Sequence, residues 1–275
     1  MLFTDKNCSN CNSKYDEAQH TCPVCGAPNE EPETQKISKA VTMLSWKKQI
    51  IISMIGMFLL SILSTIVIFV FALFTGVDPK EVDTITLLVT NIICYSLVFI
   101  AMIIVLLKDW KNILQSAKGW QPYVWALAGT VVLFGVGFGL SQLKDLALQG
   151  TNQNQSNAND MIASAPVLSI IVMGFLGPIC EELTYRVGAF SFLRRINRPL
   201  AWIGSVLAFA LCHVSFDAFM SLDAVEILPE LIAIPIYIVL GCILTFIYEK
   251  KGFTASALAH ISYNILNIIV ALCIK

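Results

Sequence analysis

Charge is what this 275-residue chain has least of: 13% of its positions are Asp, Glu, Lys or Arg, against 56% hydrophobic, with a mean hydropathy of +0.73. A soluble domain carries roughly 25% charge, so an ordinary water-soluble fold is excluded. Neither sign is in surplus, the net charge being −1. With no basic patch, a nucleic-acid partner is not expected. Histidine occurs only three times, so each one inside an apolar run carries weight. A removable signal peptide is not expected either, since the first apolar run begins near residue 49 behind a polar segment.

The apolar residues fall into seven separate runs, at about 49–74, 84–107, 120–141, 162–190, 199–216, 229–249 and 253–274. Most reach the roughly 20 residues that cross a hydrocarbon core. The fold class expected is therefore an all-α polytopic membrane protein in the lipid bilayer, with about seven transmembrane helices and a small N-terminal zinc ribbon. Lys36, Lys39, Lys47 and Lys48 precede the first run, and Lys108, Lys111 and Lys118 follow the second. Arg194, Arg195 and Arg198 follow the fourth, and Lys250 and Lys251 the sixth. The alternate loops carry Asp78, Glu81, Asp83, the Asn/Gln tract 152–159, Asp217, Asp223, Glu226 and Glu230, with Lys80 and Lys144 as their basic residues. The positive-inside rule then puts the N-terminus in the cytoplasm and the C-terminus outside, in the plasma membrane if the source is bacterial.

Residues 1–28 are a different kind of sequence. Cys8-x2-Cys11 and Cys22-x2-Cys25, followed by Gly26, are two knuckles that bring four thiolates around one tetrahedral Zn²⁺. So short a segment cannot bury enough apolar surface to fold alone, and the metal would supply its stability. A pair of disulfides is the competing reading, disfavoured on the reducing side of the membrane. His20 reads as a surface residue, since four cysteines complete the shell. Residues 29–45 read as a flexible linker, and 46–275 as the membrane domain. The remaining cysteines are scattered singly and read as packing residues. Cys180 and Cys212 adjoin polar residues, but neither has a His at a helical offset to activate it.

The intramembrane polar residues cluster in the C-terminal half. Glu181 and Glu182 end an apolar run, and Glu182 and Arg186 share a helix face at i,i+4. His213 closes Phe209-x3-His, and His260 and Asn264 share a face at i,i+4. A lone membrane His is usually a packing hydrogen bonder. Two of them, with a pair of costly carboxylates and an Asn, make a candidate site. Helix rise puts Glu181 about 13 Å, His260 and Asn264 about 10 and 16 Å, and His213 roughly 20 Å from the cytoplasmic side, so the four can meet in one layer. Such a set contains a general base for water and donors for an oxyanion, the parts of amide hydrolysis without a covalent intermediate.

Glu-Glu-x3-Arg at 181–186, Phe-x3-His at 209–213 and His-x3-Asn at 260–264 resemble the three motifs of the CPBP family, over about residues 160–272. That family holds CAAX endopeptidases that trim prenylated proteins and bacteriocin-processing or immunity relatives. The resemblance implies an all-helical membrane bundle with its site open to the cytosol and a peptide or membrane-protein substrate. It also implies that Glu181 activates water with help from His213, that His260 and Asn264 form an oxyanion hole, and that Glu182 and Arg186 support Glu181. By the resemblance the enzyme is a glutamic protease with no catalytic cofactor, although Glu181, Glu182, His213 and His260 also form a plausible zinc set. A non-catalytic binder or immunity protein of the same fold is one alternative. A proton-coupled transporter is another, against which stands the absence of an inverted repeat. The ribbon is an accessory that could bind a protein partner, recruit substrate, dimerise the chain or act as a passive cap.

Overall fold

The computed structural model describes residues 5–8, 10–16, 22–27, 44–78, 81–147 and 151–273. His20 and nearly all of the expected linker lie outside the described residues. The chain divides into two compact units, Met1–Lys39 and Ala40–Lys275.

In the first unit β1 (Asp5–Asn7) pairs antiparallel with β2 (Lys14–Asp16). Each pair of cysteines sits in a tight turn. Asn12 N donates to Cys8 O at 2.8 Å, and Gly26 N to Cys22 O at 2.9 Å. Gly26 takes φ +69°, where a side chain would be strained.

The second unit is all helical among the described residues. Five helical runs are long and apolar enough to cross a membrane: α1 (Trp46–Thr75), α2 (Thr84–Leu106), α3 (Gln121–Ala147), α5 (Pro166–Leu193) and Ala224–Cys273. Between α3 and α5 lies α4 (Gln153–Ser164), a polar helix formed by the Asn/Gln tract and capped by Asn152. The shorter apolar helix α6 (Arg198–Leu211) follows α5, with Asn197 as its cap and Pro199 in its first turn.

The last run is two helices, α7 (224–251) and α8 (253–273), broken at Gly252 with φ 76° and ψ −170°. Ser256 Oγ lies 3.2 Å from Leu244 O. Twelve residues in one straight helix would lie about 18 Å apart, so the run folds back on itself as a hairpin. All seven apolar segments expected from the sequence are thereby present.

α3 packs along the α7–α8 hairpin, and Leu133, Leu244, Ile247 and Ala259 form the centre of the buried core with Tyr185 and Phe209. α1 meets α5 closely because Gly188 has no side chain. A Cβ there would lie 2.4 Å from Ser53 Oγ and 3.1 Å from Gln49 O. Close backbone approach of this kind is how helices associate in lipid. Large apolar side chains such as Phe69, Leu73 and Phe74 remain exposed along α1, as a lipid-facing surface requires.

Two stretches of α5 are π-helical, Ile170–Leu176 and Glu182–Phe190. All nine residues of the second are buried. Such widened turns recur at functional sites because they redirect side chains and release carbonyls from the regular ladder.

Candidate active site

Glu181 and Glu182 are neighbours with opposite surroundings. Glu182 is fully buried, and every direction from its carboxylate is filled. His260 Nδ1 donates to Oε1 at 3.0 Å, Arg186 Nη1 lies 3.1 Å from the same oxygen, and Ser256 Oγ donates to Oε2. Arg186 is also fully buried, with its guanidinium 4.5 Å over the Phe209 ring and Nη2 donating to Gly241 O at 3.3 Å. The i,i+4 pair read from the sequence is therefore a buried ion pair.

Glu181 instead faces two imidazoles that it does not touch. Its Oε2 lies 3.7 Å from His260 Nε2 and 4.0 Å from His213 Nε2, and has no direct hydrogen-bond partner. Both separations exceed a hydrogen bond and suit one bridging water.

Each histidine is held by its other nitrogen. A carboxylate only accepts, so His260 Nδ1–H points at Glu182 and Nε2 at Glu181. His213 Nδ1 donates to Phe209 O at 2.8 Å, and its ring stacks on Tyr237 at 4.3 Å. In the neutral ring this leaves Nε2 as an acceptor toward Glu181. Asn264 is fixed by Nδ2 donating to Met173 O at 2.8 Å, a carbonyl in the first π-helical stretch of α5. All six residues singled out in the sequence thus come from α5, α8 and the turn after α6.

A cavity of about 430 Å³ meets this group, lined at its inner end by Glu181, His213, His260 and Asn264. From there it runs to Lys144 and Ala271, in the last turns of α3 and α8. That end is opposite the one bearing Arg194, Arg198, Lys250 and Lys251. The cytosolic opening implied by the CPBP resemblance, combined with the positive-inside orientation, would have required the cavity to run the other way.

One functional candidate escaped the sequence reading. Glu230 is 1% exposed and accepts from Gln153 N at 2.8 Å, Ser215 N at 3.0 Å and Asn152 Nδ2 at 3.4 Å. Asn152 Nδ2 also donates to His213 O at 2.9 Å. Glu230 therefore ties the start of α4 to the turn that carries His213. Cys212 Sγ lies 3.1 Å from His213 Nδ1, but that nitrogen is occupied by the Phe209 carbonyl, and Cys212 does not line the cavity. Cys180 is buried, with Sγ 4.0 Å from Tyr95 O.

The residues that bring metal-ligating atoms within 4.8 Å of one another, among those described, are Cys8, Cys11, Cys22 and Cys25. Cys8 and Cys25 sulfurs lie 3.6 Å apart, as do those of Cys11 and Cys22. Metal–sulfur bonds of about 2.3 Å in a tetrahedron give sulfur–sulfur distances of about 3.8 Å, so the cluster fits a single ion. Ser13 Oγ lies 3.2 Å from Cys22 Sγ, and this hydrogen bond pulls the Cys22 thiol down to about 6, toward the thiolate that binds metal.

Residues 163–266, the stretch that carries all three motifs, match the family model described as type II CAAX prenyl endopeptidase, Rce1-like. That segment is similar to the Rce1-like family. The Rce1-like segment starts near the end of α4 and stops within α8, so α1, α2 and α3 lie outside it. The chain is also 25% identical over 126 residues to the UPF0177 protein YvdC of Lactococcus lactis subsp. lactis (strain IL1403). This covers 46% of the chain, and the chain spans less than half of that relative, 43%. No solved structure matches. The apolar helices, together with this match to a membrane-protease family model, make this an integral membrane protein.

Proposed function

We propose that the protein is an intramembrane endopeptidase that hydrolyses a peptide bond with water activated by Glu181. The observation that carries this reading is the isolation of Glu181: a carboxylate at the inner end of a cavity, faced by two imidazole nitrogens across gaps of one water. A water there gives one proton to Glu181 and hydrogen-bonds His213 Nε2 with the other, so its oxygen lone pair is free to attack the carbonyl carbon. In the imidazolium form His260 donates from both nitrogens, to Glu182 and toward the cavity. His260 Nε2–H and the remaining Asn264 amide hydrogen would stabilise the oxyanion. Glu181 returns its proton to the leaving amine as the C–N bond breaks, giving one new carboxyl group and one new amine.

Glu182 and Arg186 act by positioning His260. The ribbon would hold a structural Zn²⁺, and the chain would sit with its N-terminus in the cytoplasm. CAAX-type trimming and bacteriocin-peptide processing both need this hydrolysis, and the substrate decides between them. The test is cleavage of a quenched-peptide library and membrane-protein candidates by the purified protein and by Glu181→Gln, each with and without a chelator. Removing the base should lower the rate by about 10²–10⁴-fold, with chelation leaving the wild type active. Equal cleavage by Glu181→Gln would overturn the reading. Loss of wild-type activity on chelation, with the Cys8→Ser protein still active, would revive a metal at Glu181, His213 and His260.

A further inference from the structure

The cavity has a direction that the three motifs do not explain. Its inner end is at Glu181, and its far end is beside Lys144, in the last turn of α3, and Ala271, in the last turn of α8. The first turn of α3 lies at the other end of the bundle, where Lys251 Nζ donates to Gln121 Oε1 at 2.6 Å. The same end holds Arg198 paired with Glu249 at 2.8 Å and Lys48 paired with Asp109. Gln121 and Lys144 are separated by about 35 Å of helix, enough to span the bilayer. The cations thus gather at one end of the helices, and the cavity leads to the other.

Amide side chains stand among apolar ones such as Phe138 and Val270 along the cavity wall. Asn152, Asn154, Gln155 and Asn159 come from α4 and its cap, and Asn264 and Asn267 from α8. Side-chain amides offer both donors and acceptors without charge, which is what an extended peptide backbone needs from a binding wall.

We infer that the site is entered from the non-cytoplasmic face and takes an extended peptide, or an exposed segment of a membrane protein, from outside the cell. The inference rests on the endopeptidase reading for what happens to that segment, and on the charge asymmetry for which face is outside. Cytoplasmic loops hold the excess of Lys and Arg, and the cavity leads away from them. Substrates made in the cytoplasm would have to be exported before they could be cut here.

The experiment is thiol labelling with a membrane-impermeant reagent, in intact cells and in inside-out vesicles, read as mass added over the wild-type protein. Ser141→Cys and Asn159→Cys report the cavity, both positions lining it. Lys118→Cys, exposed in the loop before α3, reports the opposite end. Expected are one added label on each cavity variant in intact cells, and on Lys118→Cys only in inside-out vesicles. Cavity variants labelled only in inside-out vesicles would overturn the inference, as would Lys118→Cys labelled in intact cells. So would failure of both cavity variants to label from either side, since no open route would then exist. Labelling does not depend on turnover. A chain labelled from outside that cuts nothing would keep this inference and lose the endopeptidase, and an active enzyme labelled from the cytoplasm would do the reverse.

Discussion

His260 Nδ1 and Glu182 Oε1 lie 3.0 Å apart in a place that water does not reach. That one contact links the second carboxylate of the Glu-Glu pair to the imidazole facing the first. It fixes the ring of His260 with Nε2 toward Glu181. It also divides the labour between two adjacent residues of the same type, one structural and one free to react.

The buried charges on Glu182 and Arg186 should show up as coupling. Glu182→Gln leaves Arg186 buried without its counter-ion, a loss of about 3–5 kcal/mol. Glu182→Gln/Arg186→Met should recover most of that stability but little of the activity, because His260 has still lost the anionic partner that holds it. Thermal unfolding in detergent, beside a cleavage assay, separates the two effects. Additive losses in the double variant would mean that the ion pair is not a unit.

Glu230 should matter for rate more than for binding. Glu230→Ala strands the backbone N–H groups of Gln153 and Ser215, a cost of about 1–3 kcal/mol each where they stay dry. It also frees the turn that carries His213, and a misplacement of about 1 Å can cost on the order of 100-fold in rate. Glu230→Gln keeps one acceptor oxygen and should restore part of kcat. An unchanged kcat in Glu230→Ala would show that the His213 turn holds itself.

Gly252 should tolerate no side chain. Its φ of 76° is left-handed, and a Cβ would fall 2.7 Å from Ser116 Cβ. Gly252→Ala should destabilise the membrane unit by about 1–3 kcal/mol, the range for a strained backbone position. A melting temperature equal to the wild type's would mean that the hairpin re-forms around a different turn.

Metal should leave with the ribbon's structure. A strong chelator should remove one Zn²⁺ per chain, measurable by a colorimetric dye, and make the first unit sensitive to protease, since small metal domains fold only around their ion. Cys8→Ser should do the same without a chelator. Retention of protease resistance after the metal is gone would point to another source of stability for this unit.

Much of this arrangement was legible in the sequence because membranes simplify the code. Apolar length located the helices, and a fixed helical offset predicted that Glu182 would reach Arg186. His260 and Asn264 were expected on one face, and both turn toward α5, to Glu182 and to the Met173 carbonyl. Glu230 was hidden for a physical reason: its partners are mainly backbone amides far away in sequence, and amides leave no residue signature. The Asn/Gln tract looked like loop, since nothing in its composition marks an apolar face, yet it forms α4. The course of the cavity was equally hidden. Its far wall is partly α3, which bears no motif, and a helix end facing a cavity reads the same as one facing lipid.

The packing of α3 along the hairpin sets what must be inherited together. Leu133 and Phe134 of α3 line the cavity, although α3 lies entirely before the family-matched stretch 163–266. A gene fragment carrying only that stretch would transmit every reactive side chain and still encode half a pocket, open to hydrocarbon where a peptide should lie. The smallest heritable unit of this chemistry therefore runs from the start of α3 to the end of α8. Recombination could exchange the ribbon, but α3 would have to travel with the glutamates, and α1 would have to keep the face that meets Gly188.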